Sequence, residues 1–180
     1  MSNGETVVAE LFANFQYEIY GRGLGGERPK LPVAASELEA AAREHLSEEA
    51  FGYVAGGASS EATVAANREA FSRWQIVPRM LRDVSVRDLS GSVLGTSMPA
   101  PVMLGPVGVQ SIVHPEAELA VARAAAAIGL TSILSTAASH SIEQVAEAMG
   151  EAKRWYQLYW PKDPELAASF VARAERSDRK

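Results

Sequence analysis

From Ala100 onward the chain repeats one pattern three times: a short apolar run, a loop, then a helical stretch. The apolar runs are Pro101–Leu104, Thr131–Ser135 and Trp155–Tyr159, and the helical stretches are Pro115–Ile128, Ser141–Met149 and Pro164–Glu175. The strand starts recur about 25–30 residues apart, the spacing of βα units. The helix starts are marked. Pro115 and Pro164 suit a first helical turn, Asp163 suits an N-cap, and Ser141 with Gln144 forms a capping box. Gly129 and Gly150 suit helix ends, where the backbone turns left-handed. Apolar strands bounded by helices belong in a parallel sheet covered on both faces. A doubly wound sheet and a (β/α)₈ barrel both satisfy this, and both bind ligands beyond the C-terminal ends of the strands. Gly105–Val109, Ser135–His140 and Gln157–Trp160 are therefore expected on one rim. Gly105, Pro106 and Gly108 leave little side chain there, so backbone can lie flat against a ligand.

The residues before this repeat read differently. Residues 1–35 form a polar, glycine-rich entry segment with aromatic anchors at Phe12, Phe15, Tyr17 and Tyr20. Ser36-Glu-Leu-Glu39 matches a capping box and predicts a helix to about His45. A second helix is expected from Ser47, carrying Phe51, Tyr53 and Val54 up to Gly56-Gly57. A third is expected over Glu61–Trp74, with Val64, Ala65, Phe71 and Trp74 on one face. Residues 76–98 suggest short strands or an irregular hairpin. The division predicted is residues 1–99 as an N-terminal extension and 100–180 as the βα units.

Several function classes are excluded. A net charge of −5 argues against a nucleic-acid partner, whose footprint would be basic. The chain has no cysteine, so neither disulfides nor thiolate metal sites arise. No signal peptide and no membrane span is recognisable, since even Leu119–Leu130 is interrupted by Arg123. A cytoplasmic location is the expectation. His45, His114 and His140 have no metal-ligand spacing, and Ser135 is in no Gly-x-Ser-x-Gly elbow. These histidines are expected to be surface or capping residues. Gly21-Arg-Gly-Leu-Gly-Gly26 matches G-x-G-x-x-G formally, but Glu27-Arg-Pro-Lys-Leu-Pro32 cannot open the required helix, so it is expected to be an ordinary flexible loop. Arg173, Arg176, Arg179 and Lys180 are interleaved with acidic residues and suggest a solvated helix end. Tyr53, Tyr156 and Tyr159 fit a core role as readily as a site. Gln157 is harder to place in a core, because an amide in an apolar strand needs partners that a ligand at the strand end would supply. Strand alternation puts Trp155, Gln157 and Tyr159 on one face and Tyr156 and Leu158 on the other.

An ordered set of motifs goes further. Tyr53-Val-Ala-Gly-Gly-Ala58, Asn67-Arg-Glu-Ala-Phe71, Pro78-Arg-Met-Leu81 and Gly105-Pro-Val-Gly-Val109 are followed by His114-Pro-Glu116, Leu134-Ser-Thr136 and Gln157-Leu-Tyr159. This order and spacing, from about residue 36 to about 176, resembles the N-terminal part of the FMN-dependent α-hydroxy acid dehydrogenases and oxidases. The segment Tyr17-Glu-Ile-Tyr-Gly21 resembles the lactate 2-monooxygenase branch.

The resemblance implies an incomplete (β/α)₈ TIM barrel, about three βα units, with FMN at its C-terminal rim. It implies that Gly105, Pro106, Val107 and Gly108 lie along the flavin and that Ser135 and Gln157 contact it. Tyr53 would bind the substrate carboxylate, and Tyr159 would act catalytically near the substrate hydroxyl. The substrates implied are a small L-2-hydroxy acid and O₂, in a homo-oligomer. Gly108 stands where simple oxidases commonly have Ala, which would leave more room at the reaction centre. Ala137 replaces a large aromatic of glycolate oxidase-like members. The family's catalytic histidine, its arginine partner, a lysine near the flavin and the phosphate site lie later than Lys180. Ser177-Asp-Arg-Lys180 does not lead into a fourth strand, so the chain is expected to be a truncated form that is inactive alone. The alternatives are a non-catalytic remnant with a subunit-association role, a simple oxidase that releases peroxide, and a barrel enzyme of other phosphate or flavin chemistry.

Overall fold

The computed structural model describes residues 15–83 and 85–178. They fall into two units, one of residues 15–28 and 89–178, the other Pro29–Asp88.

The first unit holds the repeat. A helix, α1, covers residues 15–24. Strands β1 (Gly91–Val93) and β2 (Thr96–Met98) form an antiparallel hairpin. Strands β3 (Met103–Leu104), β4 (Thr131–Ser135) and β5 (Arg154–Gln157) make a parallel sheet in the order β3-β4-β5. Met103 pairs with Thr131, and Ser132 to Ser135 pair in step with Arg154 to Gln157. Helices α5 (Ala117–Ala127), α6 (Ile142–Met149) and α7 (Pro164–Asp178) connect and follow the strands. The core lies between sheet and helices. Ala122 and Ala125 of α5 meet Val145 and Met149 of α6, with Leu104 and Leu134 packed against them from the strands. Small residues on α5 let the helices approach closely, and each buried Val or Met contributes about 1.5–3 kcal/mol. Tyr156 faces α7, with its ring centroid 6.2 Å from that of Phe170. Trp155, on the other strand face, donates its indole N–H to Thr96 Oγ1 at 3.0 Å and ties β5 to the hairpin.

The second unit contains α2 (Leu38–Arg43), α3 (Glu48–Ala55) and α4 (Ala62–Ala70). Ser47 Oγ caps α3 by accepting from Ala50 N–H. Arg43 stacks over the Phe51 ring at 4.9 Å, and Arg68 pairs with Glu39 at 2.7 Å.

Most helix signals are realised. The Ser141–Gln144 capping box forms in both directions, Asp163 Oδ1 accepts from Glu165 N–H, and Gly129 and Gly150 have φ of 69° and 57°. Five expectations are corrected. Ser36 caps nothing: Ala35–Glu37 wind as a 3₁₀ turn entered at Ala34, and Glu39 is drawn away to Arg68. Pro115 precedes α5, which begins two residues later, after His114 Nδ1 has accepted from Glu116 N–H. Residues 21–24 of the glycine motif are the last turn of α1 and not a loop. The helix expected over Glu61–Trp74 stays α-helical only to Ala70 and tightens to 3₁₀ over Phe71–Arg73, leaving Phe71 and Trp74 exposed. Strand β5 begins at Arg154 and ends at Gln157, so Tyr159 lies beyond the strand. Of the expected anchors, Phe15, Tyr17 and Tyr20 are exposed on α1, and Phe12 lies outside the described residues. Arg173 is paired with Glu143, and Arg179 and Lys180 lie outside the described residues.

Candidate functional site

The parallel order brings the three loops that follow β3, β4 and β5 to one end of the sheet. Ser135 and Gln157 are direct register partners at the last paired positions of β4 and β5. Ser135 is buried, and its Oγ accepts from Ala137 N–H at 3.1 Å, which turns the chain out of the strand. The Gln157 side-chain amide makes no hydrogen bond among the described residues. The loop after β3 leaves one side of Gly105 open: a Cβ built there has no atom within 4 Å. A cavity of about 220 Å³ is lined by Gly105, Val107 and Gln110 of that loop together with Ser135 and residues of the neighbouring strands and helices.

The loops after β3 and β4 are joined closely. Val109 N–H donates to Ala137 O at 3.0 Å. A Cβ at Gly108 would lie 3.0 Å from Ala137 Cβ and 3.3 Å from its carbonyl oxygen. A methyl at this position would therefore press on Ala137, and its effect on the site would run through the neighbouring loop. Val109 has φ 48°, a strained conformation for a β-branched residue. Ser111 N–H donates to Ser139 Oγ at 3.1 Å, and the two hydroxyls are also 3.1 Å apart.

Thr136 fastens the third loop. Its Oγ1 is 2.5 Å from Gln157 O, 2.9 Å from the Tyr156 hydroxyl, and accepts from Tyr159 N–H at 3.0 Å. With one proton, Thr136 donates to the carbonyl, so Tyr156 O–H donates to Thr136. This fixes the backbone on either side of Leu158 and leaves the Tyr159 ring about half exposed, at 53%. Tyr53 lies in α3 of the other unit and is 66% exposed.

Beneath the rim sits Glu118, 3% exposed, at the second residue of α5. Its Oε1 accepts from Ser139 N–H at 3.0 Å, and its Oε2 is 2.9 Å from His140 Nδ1. Burial pushes its carboxyl upward, but the hydrogen bonds from Ser139 N–H and His140, with its own backbone N–H, outweigh that and hold it below the usual carboxylate range. Among the described residues, no group of three His, Asp or Glu could hold a metal ion, and no helix is long and apolar enough to cross a membrane.

The first strand end, Gly105 to Gly108, thus comes together with Ser135, Gln157 and the Tyr159 backbone. The sequence did not single out Thr136 or Glu118 as individual residues. Thr136 stood only within a motif, and a buried carboxylate on a helix has no local pattern that separates it from the exposed kind.

The chain matches the family model described as FMN-dependent dehydrogenase over residues 42–180. It is 40% identical over 167 residues to an FMN-dependent alpha-hydroxy acid dehydrogenase of Penicillium citrinum, covering 92% of this chain and 42% of that protein. It is 42% identical over 144 residues to an L-lactate oxidase of Lysinibacillus sphaericus, covering 80% and 37%. Among solved structures, a lactate oxidase of Pediococcus acidilactici superposes with a TM-score of 0.77 at 33% identity, over 84% of this chain and 43% of that one. The chain spans about two-fifths of the length of these relatives. Its βα repeat, its strand-end loops and these likenesses agree, and the chain belongs to the family of FMN-dependent α-hydroxy acid dehydrogenases and oxidases.

Proposed function

We propose that this chain supplies one wall of the flavin and substrate site of an enzyme that oxidises a small L-2-hydroxy acid, most like lactate 2-monooxygenase. The observation that carries the reading is the pairing of Ser135 with Gln157 at adjoining strand ends, beside the open backbone at Gly105. An uncommitted amide and a flat, glycine-containing loop fit a planar ring with polar edges. Gly105, Pro106, Val107 and Gly108 would lie along the ring, and Gln157 would hydrogen-bond its polar edge, with Ser135 beside it. Bound FMN supplies the two-electron acceptor for the substrate's α-carbon. Tyr53 would orient the substrate carboxylate, and Tyr159 would donate to or accept from the substrate hydroxyl. Neither phenol is a competent base near neutral pH, with an ordinary pKa of about 10. Proton removal therefore belongs to a histidine of the family's later segment.

In the finer reading, lactate and O₂ give acetate, CO₂ and water. The glycine at 108 supports it, since a methyl there would press on Ala137 and shift the neighbouring rim loop. A second reading, a simple oxidase that releases pyruvate and peroxide, is favoured by the names of relatives such as L-lactate oxidase. Product analysis with L-lactate, on an enzyme that also carries the family's later segment, separates the two: acetate without free peroxide for the first, stoichiometric peroxide for the second. The cofactor site is tested by titrating FMN fluorescence with the chain. Gln157→Leu is expected to weaken binding by about tenfold, the effect of one buried hydrogen bond. Equal affinity of the two forms refutes the role given to Gln157.

A further inference from the structure

We propose that Glu118 is a positioning residue that sets the register of the two rim loops after β3 and β4. Its role in the loops stands on their geometry, and its consequence for flavin rests on the reading above. The carboxylate bonds to the loop after β4 and lines the same cavity as Gly105, Val107 and Gln110 of the loop after β3. It accepts from Ser139 N–H and reaches His140 on the second loop, while its own helix α5 follows directly from the first loop. Around it, Val109 N–H to Ala137 O and the Ser111–Ser139 contacts close the same seam. Among the described residues, His140 is the one basic side chain within ion-pair distance of Glu118. A buried carboxylate held by two donors is fixed in orientation, because rotation leaves a buried donor and acceptor without partners. Its place in the first turn of α5 adds the favourable field of the helix N-terminus.

The geometry also fixes His140. A carboxylate can only accept, so neutral His140 must carry its proton on Nδ1, leaving Nε2 as the acceptor. Glu118→Gln changes this in a defined way. The amide oxygen can still accept from Ser139 N–H, but the amide nitrogen now donates to Nδ1. His140 must then move its proton to Nε2. Glu118→Ala removes both links.

The test is amide hydrogen exchange and imidazole ¹⁵N NMR on the full chain, at a pH where His140 is neutral. In Glu118→Ala, exchange at Val109, Ser111 and Ser139 is expected to rise by about tenfold or more, the effect of losing one charge-assisted hydrogen bond. Exchange at Ile133 and Trp155, inside the sheet, should stay as in the parent. Glu118→Gln should keep the loop protection and show the switched ¹⁵N pattern. Unchanged loop exchange in Glu118→Ala overturns the proposal. So does an equal rise throughout the sheet, which would mark Glu118 as a general support of the core. An unswitched imidazole in Glu118→Gln overturns the tautomer assignment and the fixed geometry with it. FMN titration forms a separate arm. Weaker FMN binding by Glu118→Ala, with near-parent binding by Glu118→Gln, extends the role to the cofactor. If the parent chain binds no FMN while the loop effects appear, the cofactor reading fails and the positioning role stands.

Discussion

Gly108→Ala tests how closely the two rim loops are packed. Gly108 is not among the glycines with positive φ, so the backbone itself accepts alanine. Space does not. The new methyl would sit 3.0 Å from Ala137 Cβ, whereas carbon atoms settle at about 3.5–4.0 Å. One loop must retreat by about half an ångström or more, and the Val109 N–H to Ala137 O bond of 3.0 Å lies in the same seam. Overpacking of this kind costs about 1–3 kcal/mol. Reduced freedom of the unfolded chain returns about 0.4–1 kcal/mol. The net expectation is destabilisation of about 1–2 kcal/mol, from the difference of these terms. Urea denaturation followed by tryptophan fluorescence measures it. Ala137→Gly in the same chain removes the clashing methyl, so the double variant should recover at least about 1 kcal/mol relative to additivity. An additive double variant, or a Gly108→Ala chain as stable as the parent, refutes the steric argument. If the loss and its recovery appear, the products formed by Gly108→Ala in an enzyme that also carries the family's later segment should return toward the parent's in the double variant. That would locate the effect of residue 108 in the neighbouring loop.

Thr136→Val keeps the shape and removes a hydroxyl with three partners, so about 2 kcal/mol should be lost, less than three full hydrogen bonds because Tyr159 N–H can turn to water. Urea midpoints measure it, and a loss under about 0.5 kcal/mol contradicts the network. Arg154 donates Nη1 to Gly150 O and Ala152 O and Nη2 to Ser177 O, joining the ends of α6 and α7. Arg154→Lys offers no planar fork to span them and should cost about 1–3 kcal/mol with faster exchange in the last turn of α7, read by thermal unfolding and amide exchange. Glu143 is held at about 2 by its two 2.8 Å hydrogen bonds from Arg173. Its folded value is depressed from 4.5, so its contribution is full above about pH 4.5 and is lost as pH falls toward about 2. The pair is partly exposed, which limits it to about 0.5–1 kcal/mol. The stability gap between the parent and Glu143→Gln should close over that range in urea titrations; a gap independent of pH contradicts the assignment.

The strands and helices of the repeat were legible because each was bounded by residues with a local mechanism. Ser141 and Ser47 stand in extended backbone, with ψ near 160°, where a hydroxyl can reach the helix N–H groups. Ser36 has the same sequence context but lies inside a 3₁₀ turn, and its would-be partner Glu39 is taken by Arg68, 29 residues away. A long-range ion pair leaves no mark in the local pattern. The rim was legible for the same reason as the repeat, since strand order places strand ends together. What holds the rim was not. Glu118, Thr136 and Arg154 act through partners about 20 residues distant, and only the folded chain shows which polar residue turns inward.

The sheet order β3-β4-β5 repeats the order of the chain, and α5 packs on α6 as α6 packs on α7. Each βα unit is therefore a template for its immediate successor. Closing such neighbours costs little chain entropy, and no late segment must thread between earlier ones. Growth of this sheet can keep pace with synthesis on the ribosome, each finished unit offering a fresh strand edge to the one emerging. A translational pause after β4 would prolong the life of that edge, and with it the interval in which a second nascent chain could pair there instead.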